Sequence, residues 1–587
     1  MAFPRAGGHP ANLNTDATPN GQENEQENKF KVPKSILIIG SGVFGLSTAL
    51  ALTCRSEIPS DTPITVIDRS PDPDVFPARD ASSIDSSRII RADYADLAYA
   101  ELAAEAQEHW RRDIDNPDSL GGDGRYNESG LLLAAENGAD GATVRPDGRP
   151  TGLGYTRRSW VNALALALAK GRSLETVRLL PSAFGIAKAS RTDREWADWG
   201  YLNTVAGWAD AERSMRWLYD RVVATQRVTF VSGTVETLET QTRGVEQHVT
   251  GARLADGRSI SADLVIVAAG AWTPTLVGLA GSAVATGQCV AYLQITDDEQ
   301  ARLAEMPVCL NLTDGCFVIP PRNNILKIAR HSYGARVTTI SRKIHCLPEL
   351  TVVTVCKPLV HKHGHHDLCN SAKSVIRNWT NTFGHTRYLN PQLVSNEPLK
   401  SNRSTTDENG QGDKSKPKAV ISQPRTHLTD PSLNIPAEGA ADLRRALRRM
   451  IPWLGDRPFF ETRLCWYTDT PTGDWIIDYH PSYKKLFVAT GGSGHAFKFL
   501  PVLGEKVVDC LLGRHPQKFQ EKWMWKGGIR GTVKKDNELS SEQEMLYDEL
   551  AAELSVATED GSRGGKPGLI LVEEMVEDEK PHILSKI

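Results

Sequence analysis

Gly40, Gly42 and Gly45 stand at a spacing suited to phosphate chemistry, in the segment Gly40-Ser41-Gly42-Val43-Phe44-Gly45. The segment follows an apolar run, Ile36 to Ile39, and opens a helix-like stretch, Leu46 to Leu52. Glycine lets backbone turn tightly and approach a pyrophosphate, while a helix N-terminus offers unpaired N–H groups to its oxygens. Asp68 ends a second apolar run and lies 23 residues beyond Gly45, where a carboxylate accepts from ribose hydroxyls and disfavours a 2′-phosphate. The set reads as a dinucleotide site, for FAD or NAD and not NADP. A glycine turn in an unrelated α/β protein is the alternative.

Two more glycine-ended strands favour the longer flavin cofactor. Ala262 to Thr273 is an apolar strand running into Gly270, where backbone must pass close to another group. Leu486 to Thr490 runs into Gly491-Gly492-Ser493-Gly494-His495, whose backbone N–H groups suit an anionic ring or phosphates. Three such turns fit FAD.

Three further segments carry reactive or charged groups. Arg88-Ile89-Ile90-Arg91, after Ser86-Ser87, spaces two guanidinium groups three apart, on one side of a helix or turn, and a guanidinium fork suits a carboxylate. The alternative makes both arginines surface ion-pair partners of Asp85 and Asp93. In Leu326-Lys327-Ile328-Ala329-Arg330-His331 an alternating strand aims Lys327 to one face, as a lone cation among apolar neighbours that is costly without a task. Cys465 lies in Arg463-Leu464-Cys465-Trp466-Tyr467-Thr468-Asp469-Thr470-Pro471, either as a reactive thiol or as a buried inert one.

These residues need elements to hold them. Ile36 to Ile67 spells a βαβ unit, and strand-like pieces at Val228 to Val231, Leu264 to Ala269 and Leu486 to Thr490 extend the same domain across the chain. A second domain is therefore inserted between its strands, which favours a site at the interface. The expected fold is α/β, a Rossmann-like, glutathione-reductase-type FAD domain interleaved with an α+β substrate domain on a mostly antiparallel sheet. The FAD domain is assigned to 35–92, 206–284 and 461–525, and the substrate domain to 93–205, 285–335 and 425–460. Residues 1–34 read as a disordered tail, 336–424 as an atypical flexible insertion, and 526–587 as an acidic tail without evident chemistry. Ala437 to Leu454 reads as a helix broken by Pro452.

Composition narrows the function classes. A net charge of −4 gives no reason to bind nucleic acid or anionic membrane, and no run approaches the length of a membrane span. Nine widely spaced cysteines without CxxC pairs suggest neither a disulfide framework nor structural zinc, and point to a reducing compartment. His361, His363, His365 and His366 fit a solvated loop better than a metal site. The terminal Ser585-Lys586-Ile587 is one residue away from a peroxisomal address, the expected location, with the cytoplasm as the alternative.

Together the motifs resemble the flavin amine oxidases of the monomeric sarcosine oxidase group, including saccharopine oxidases and amadoriases (fructosyl amino acid oxidases), in the D-amino-acid-oxidase-like superfamily. The resemblance spans about 35 to 335 and 420 to 525. It implies that Cys465 bonds covalently to FAD, that Arg91 and Lys498 bind a substrate carboxylate, and that Arg88 sits near the flavin. It implies that Lys327 stabilises superoxide as oxygen is reduced, and that His331 and Tyr467 line the active site. Gly40, Gly42, Val43, Phe44, Gly45, Asp68, Arg69, Ser87, Arg88, Val235, Gly270, Cys465, Gly492, Gly494, His495 and Lys498 become the expected cofactor contacts.

The implied reaction oxidises a C–N bond of a secondary amine or N-substituted amino acid (saccharopine, sarcosine, pipecolate or fructosyl amino acid) to an imine, with O2 reduced to H2O2. A monomer acting on a small molecule is expected. Orienting the carboxylate and desolvating the amine are the site's tasks, and no dedicated base is required. The alternatives are a flavin dehydrogenase passing electrons to a carrier, a tailoring oxidase acting on an N-methyl amino acid, and an inactive flavin-binding protein.

Overall fold

The computed structural model describes residues 31–69, 77–138, 141–146, 148–279, 282–336, 338–341, 419–422, 424–427, 433–525, 560–564 and 569–570. The unbroken apolar run Ile36–Ile39 forms strand β1 with all four residues buried, as a strand covered on both faces requires. Helix α1 (Val43–Cys54) and strand β2 (Ile64–Asp68) complete the first βαβ unit, and β1 pairs in parallel with β2 from Ile36↔Ile64 to Ile39↔Ile67.

The scattered strands assemble around this unit. In one six-stranded sheet the order is Ile476–Tyr479, Leu486–Thr490, Leu264–Val267, β1, β2 and Val228–Ser232. All neighbours run parallel except Ile476–Tyr479, an antiparallel edge. A parallel arrangement needs long crossovers, and these carry the rest of the chain.

A second, ten-stranded sheet is mostly antiparallel. At its centre Val284–Gln294 pairs with Ile325–Arg330 on one side and Glu461–Asp469 on the other. The registers Tyr292↔Lys327, Val290↔Arg463 and Gln288↔Cys465 put Lys327, Arg463, Cys465 and Tyr467 on one face, since alternate residues share a face. The other face, with Ile328, Leu464 and Trp466, packs on Leu443, Ala446, Leu447 and Met450 of the helix Ala437–Met450. That helix ends before Pro452, which starts a short 3-10 turn, Pro452–Leu454.

The motif Arg88-Ile89-Ile90-Arg91 is placed differently from its sequence reading. Arg88–Ile90 is a short strand, β3, paired with Gly207–Ala209, and not a helix or turn. Three positions apart along an extended chain is an odd spacing, so Arg88 and Arg91 diverge to different neighbours.

Thr338–Ser341 pairs antiparallel with Ala419–Ser422 at the base of the insertion. Expectations for residues 1–30, for residues 342–418 of the insertion with the histidines 361–366, and for the terminal Ser-Lys-Ile fall outside the described residues. The elements above belong to the unit Pro33–Ile587, and of the unit Met1–Val32 only residues 31 and 32 are described. Among the described residues no helix is long and apolar enough to cross a membrane.

Candidate active site

The glycine turn is built as phosphate chemistry demands. Gly40 has φ +106°, and a Cβ there would lie 2.5 Å from the Ala268 carbonyl oxygen. A Cβ on Gly45 would lie 1.8 Å from the Gly40 carbonyl oxygen, so this glycine seats α1 against the turn. Gly42 differs, because a Cβ there meets no atom within 4 Å. It is the N-cap of α1, and no side chain caps the helix. An open approach to uncapped N–H groups is what a pyrophosphate needs.

Other expected contacts surround this opening. Asp68 Oδ2 accepts from the Ser41 N–H (2.7 Å) and hydroxyl (2.5 Å), which fixes the carboxylate at the end of β2. Val43 and Phe44 begin α1, and the Phe44 ring meets Trp475 edge-on at 5.9 Å. The Arg69 guanidinium lies 3.5 Å over the Trp272 ring and pairs with Asp80. Gly270 starts the turn after Leu264–Val267, and Val235 opens the partly buried strand Val235–Arg243. Gly492 packs near Phe44, and Gly494 backs onto the Tyr467 ring. These features fit FAD in the backbone approach they leave open and in donor chemistry.

A buried charge cluster occupies the functional face of the large sheet. Asp85, fully buried, accepts from Lys327 Nζ (2.7 Å) and Tyr292 hydroxyl (2.6 Å) and pairs with Arg88. Lys327 Nζ also donates to the Ser87 carbonyl at 2.8 Å, and Arg88 Nη2 reaches Cys465 Sγ at 3.4 Å. Arg463, anchored on the Ile84 and Ala81 carbonyls, adds a third cation near Asp85. Lys327 is thus not a lone cation among apolar groups, because a carboxylate 242 positions away in the chain meets it. The acid named as a surface partner of the arginines pairs with Arg88, but in the interior.

The electrostatics follow from crowding. Burial works to raise the Asp85 carboxyl, yet Lys327, Arg88 and Arg463 outweigh it and hold it well below the usual carboxylate range. Burial pushes the Lys327 ammonium down to about 8, Asp85 opposes that shift, and Arg88 adds to it. Two cations share one carboxylate, and lysine, the weaker base, is the one that releases its proton.

Beside this cluster lies a group of buried basic and aromatic side chains. Arg91 is 8% exposed, its guanidinium is 5.0 Å from the Tyr94 ring centroid, and its Nη1 has no hydrogen-bond partner among the described residues. Lys498 Nζ donates to the Tyr94 hydroxyl and the His495 carbonyl, each at 2.9 Å. His495 stacks on Trp475, with Nδ1 3.1 Å from the Tyr94 hydroxyl and Nε2 2.8 Å from the Gly473 carbonyl. The His331 ring lies 6.0 Å from the Tyr467 ring.

Burial and the Arg91 charge hold Lys498 well below the usual lysine range. Burial, then Arg563, Arg91, Lys498 and His495, hold His331 well below the usual histidine range, so the imidazole is neutral. Arg91 thus depresses both Lys498 and His331, and its buried Nη1 has no hydrogen-bond partner among the described residues, an arrangement suited to receiving an anion. A charge-assisted hydrogen bond there contributes about 1.5–3 kcal/mol.

Asp85 was named in the sequence only as a surface partner of the arginines, and Tyr94, Tyr292, Arg463, Asp469 and Arg563 were not singled out. Tyr94 was the most accessible, as it follows Arg91 by three residues. Arg563 had no signal, lying in a Ser/Gly stretch 94 residues beyond Asp469, to which it pairs at 2.7 Å.

Comparison with known proteins places this geometry. The model of the DAO family, FAD dependent oxidoreductase, matches residues 35–354 and 402–510. The chain is 31% identical over 531 residues to amino acid oxidase imqH of Aspergillus flavus, covering 84% of this chain and 98% of the relative. It is 27% identical over 508 residues to L-saccharopine oxidase of Schizosaccharomyces pombe, covering 84% and 93%. Its fold is similar to that of fructosyl peptide oxidase from E. terrenum, with TM-score 0.64, 21% identity and coverage of 93% and 98%.

Proposed function

Because the chain belongs to the DAO family of FAD dependent oxidoreductases, we propose that it oxidises the C–N bond of an N-substituted amino acid with O2 as electron acceptor. The observation that carries this reading is the buried group of Arg91, Tyr94 and Lys498 beside the Cys465–Arg88–Lys327 cluster. Likeness to an amino acid oxidase and to L-saccharopine oxidase supports the substrate class.

FAD, when bound, supplies the two-electron acceptor for the amine and passes the electrons on to O2. The α1 N-terminus, with Gly40, Gly42 and Gly45, would hold its pyrophosphate and Asp68 its ribose, while Cys465 would anchor it covalently through a thioether. Val43, Phe44, Arg69, Ser87, Val235, Gly270, Gly492, Gly494 and His495 complete the proposed cofactor contacts.

The chain's own residues divide the remaining work. Arg91 and Lys498 fix the substrate carboxylate, and Tyr94 holds the two basic groups in register. His331, kept neutral, and Tyr467 line the substrate face and exclude water, so that the amine loses its hydration before it reacts. Lys327, held by Asp85, supplies positive charge where O2 becomes negatively charged. The imine product is hydrolysed by water to a carbonyl compound and a free amine.

The test is peroxide release, followed by a peroxidase-coupled assay, from saccharopine, sarcosine, pipecolate, fructosyl amino acids and N-methyl amino acids, each beside its carboxylate ester. Turnover of at least one free acid, and weak turnover of its ester, is expected. Equal turnover of acid and ester would overturn the carboxylate pocket. Turnover with an artificial carrier but not with O2 would assign a dehydrogenase.

A further inference from the structure

We propose that Arg563, from the C-terminal segment Asp560–Gly564, is a positioning residue of this active site, holding Tyr467 and His331 in working geometry. The inference rests on the oxidase reading above and adds a residue outside the motifs that led to it.

The guanidinium sits at a junction of three elements. Nη2 donates to Asp469 Oδ1 at 2.7 Å and to the Ser493 carbonyl at 3.0 Å, and Nη1 donates to the Ser332 carbonyl at 3.0 Å. Asp469 ends the strand that carries Cys465 and Tyr467. Ser493 lies in the glycine turn between Gly492 and Gly494, and Ser332 follows His331. The same guanidinium lies 5.8 Å from the Tyr467 ring centroid. One side chain therefore joins the Cys465 strand, the proposed flavin turn and the end of the Lys327 strand.

The segment is also fixed by its backbone. The Gly564 N–H donates to the His331 carbonyl at 3.0 Å, and the Tyr333 N–H donates to the Gly564 carbonyl at 3.3 Å. A Cβ on Gly564 would lie 2.0 Å from the Asp314 carbonyl oxygen, an approach only glycine allows. Asp560 accepts from the Ser562 N–H and hydroxyl, which shapes the turn leading to Arg563. Its charge also reaches the Tyr94 and Tyr155 phenols around Arg91.

Arg563 is 3% exposed and Asp469 is fully buried. Such a pair is a poor source of stability, because desolvating two charges offsets much of their attraction. Its placement explains it better, since its contacts hold Asp469 two residues from Tyr467, the Ser332 carbonyl next to His331, and the Ser493 carbonyl of the glycine turn. Arg563 is also the largest cause, after burial, of the low histidine value at His331, with Arg91, Lys498 and His495 contributing.

The test compares three full-length proteins, wild type, Arg563→Lys and the double variant Arg563→Leu/Asp469→Leu, which removes both buried charges. Flavin content and thermal denaturation establish the fold, anaerobic rapid mixing with substrate gives the reduction rate, and titration with acetate gives carboxylate affinity. The double variant is expected to keep its flavin and its acetate affinity within about threefold, while reduction slows by about 10- to 100-fold, the scale of a small misplacement. Its acidic pH limb should move up towards the ordinary histidine value, and Arg563→Lys should recover part of the rate. Wild-type rate and pH profile in a flavin-replete double variant would overturn the proposal. If the wild type itself is not reduced by any N-substituted amino acid, the oxidase reading has failed, and that result is distinct from a difference between variants.

Discussion

Lys327 Nζ lies 2.7 Å from Asp85 Oδ2 in a fully buried pair, and Arg88, which touches Cys465, shares the same carboxylate. The proposed oxygen-facing cation and the proposed flavin anchor are thus joined through one acid. Lys327 is pushed down to about 8, so its ammonium is present below that pH and lost above it. Reoxidation of the reduced protein by O2 should therefore slow as pH rises through about 8. Lys327→Met should slow that step by about 10²- to 10³-fold, as removing one preorganised donor does, and affect reduction by substrate less. Rapid mixing of each half-reaction separates the two, and equal losses in both would deny Lys327 a role specific to oxygen.

Asp85→Asn removes the group that raises the Lys327 value, so the alkaline fall in reoxidation should move below pH 8. Breaking a buried pair costs about 3–5 kcal/mol, and chemical denaturation should show a loss of that size. The sign with acid is fixed as well. The folded Asp85 value is depressed, so its stabilisation is present above the unfolded carboxyl value of about 3.9 and is lost as pH falls through the folded one. The variant should lose less stability on acidification than the wild type, and parallel acid curves would contradict the assignment.

Gly42 and Gly45 should fail in different ways. A Cβ on Gly45 collides with the Gly40 carbonyl, so Gly45→Ala should lower both the melting temperature and flavin content. A Cβ on Gly42 meets no protein atom, so Gly42→Ala should leave the apoprotein's melting temperature nearly unchanged while FAD affinity falls by more than about tenfold. Flavin content by absorbance decides, and full flavin in Gly42→Ala would place the pyrophosphate elsewhere.

Cys465 is buried on the functional face, 3.4 Å from Arg88. Acid precipitation of the wild type should carry the yellow chromophore into the pellet, and Cys465→Ser should release it to the supernatant. Free flavin from both proteins would keep FAD and remove the covalent bond.

Much of the framework was legible because it is written in local patterns. β1, α1 and β2 announce themselves as apolar runs around a glycine turn, and Leu264–Val267 and Leu486–Thr490 as buried strands ending in glycine. Lys327 and Cys465 stood out through their neighbours, and the sheet register brings them to one face. What stayed hidden depends on distant parts of the chain. The strand Arg88–Ile90 forms only by pairing with Gly207–Ala209, so local spacing suggested a helix or turn and a shared direction for Arg88 and Arg91. Asp85 reads in the sequence as a surface ion-pair partner of the arginines, and only the folded chain puts Lys327, Arg88 and Arg463 around it in the interior. Arg563 acquires meaning only when Asp469, Ser332 and Ser493 are placed around it.

The most direct test of the central claim is an anaerobic titration of the purified holoprotein with N-substituted amino acids, read as bleaching of its flavin absorbance, followed by admission of O2. The account predicts full bleaching by at least one such amino acid, loss of apparent affinity by about 10- to 100-fold in Arg91→Gln, and recovery of colour on O2 admission with one H2O2 per flavin. A flavin that no amine bleaches, or that bleaches equally well when Arg91 is replaced, would contradict it.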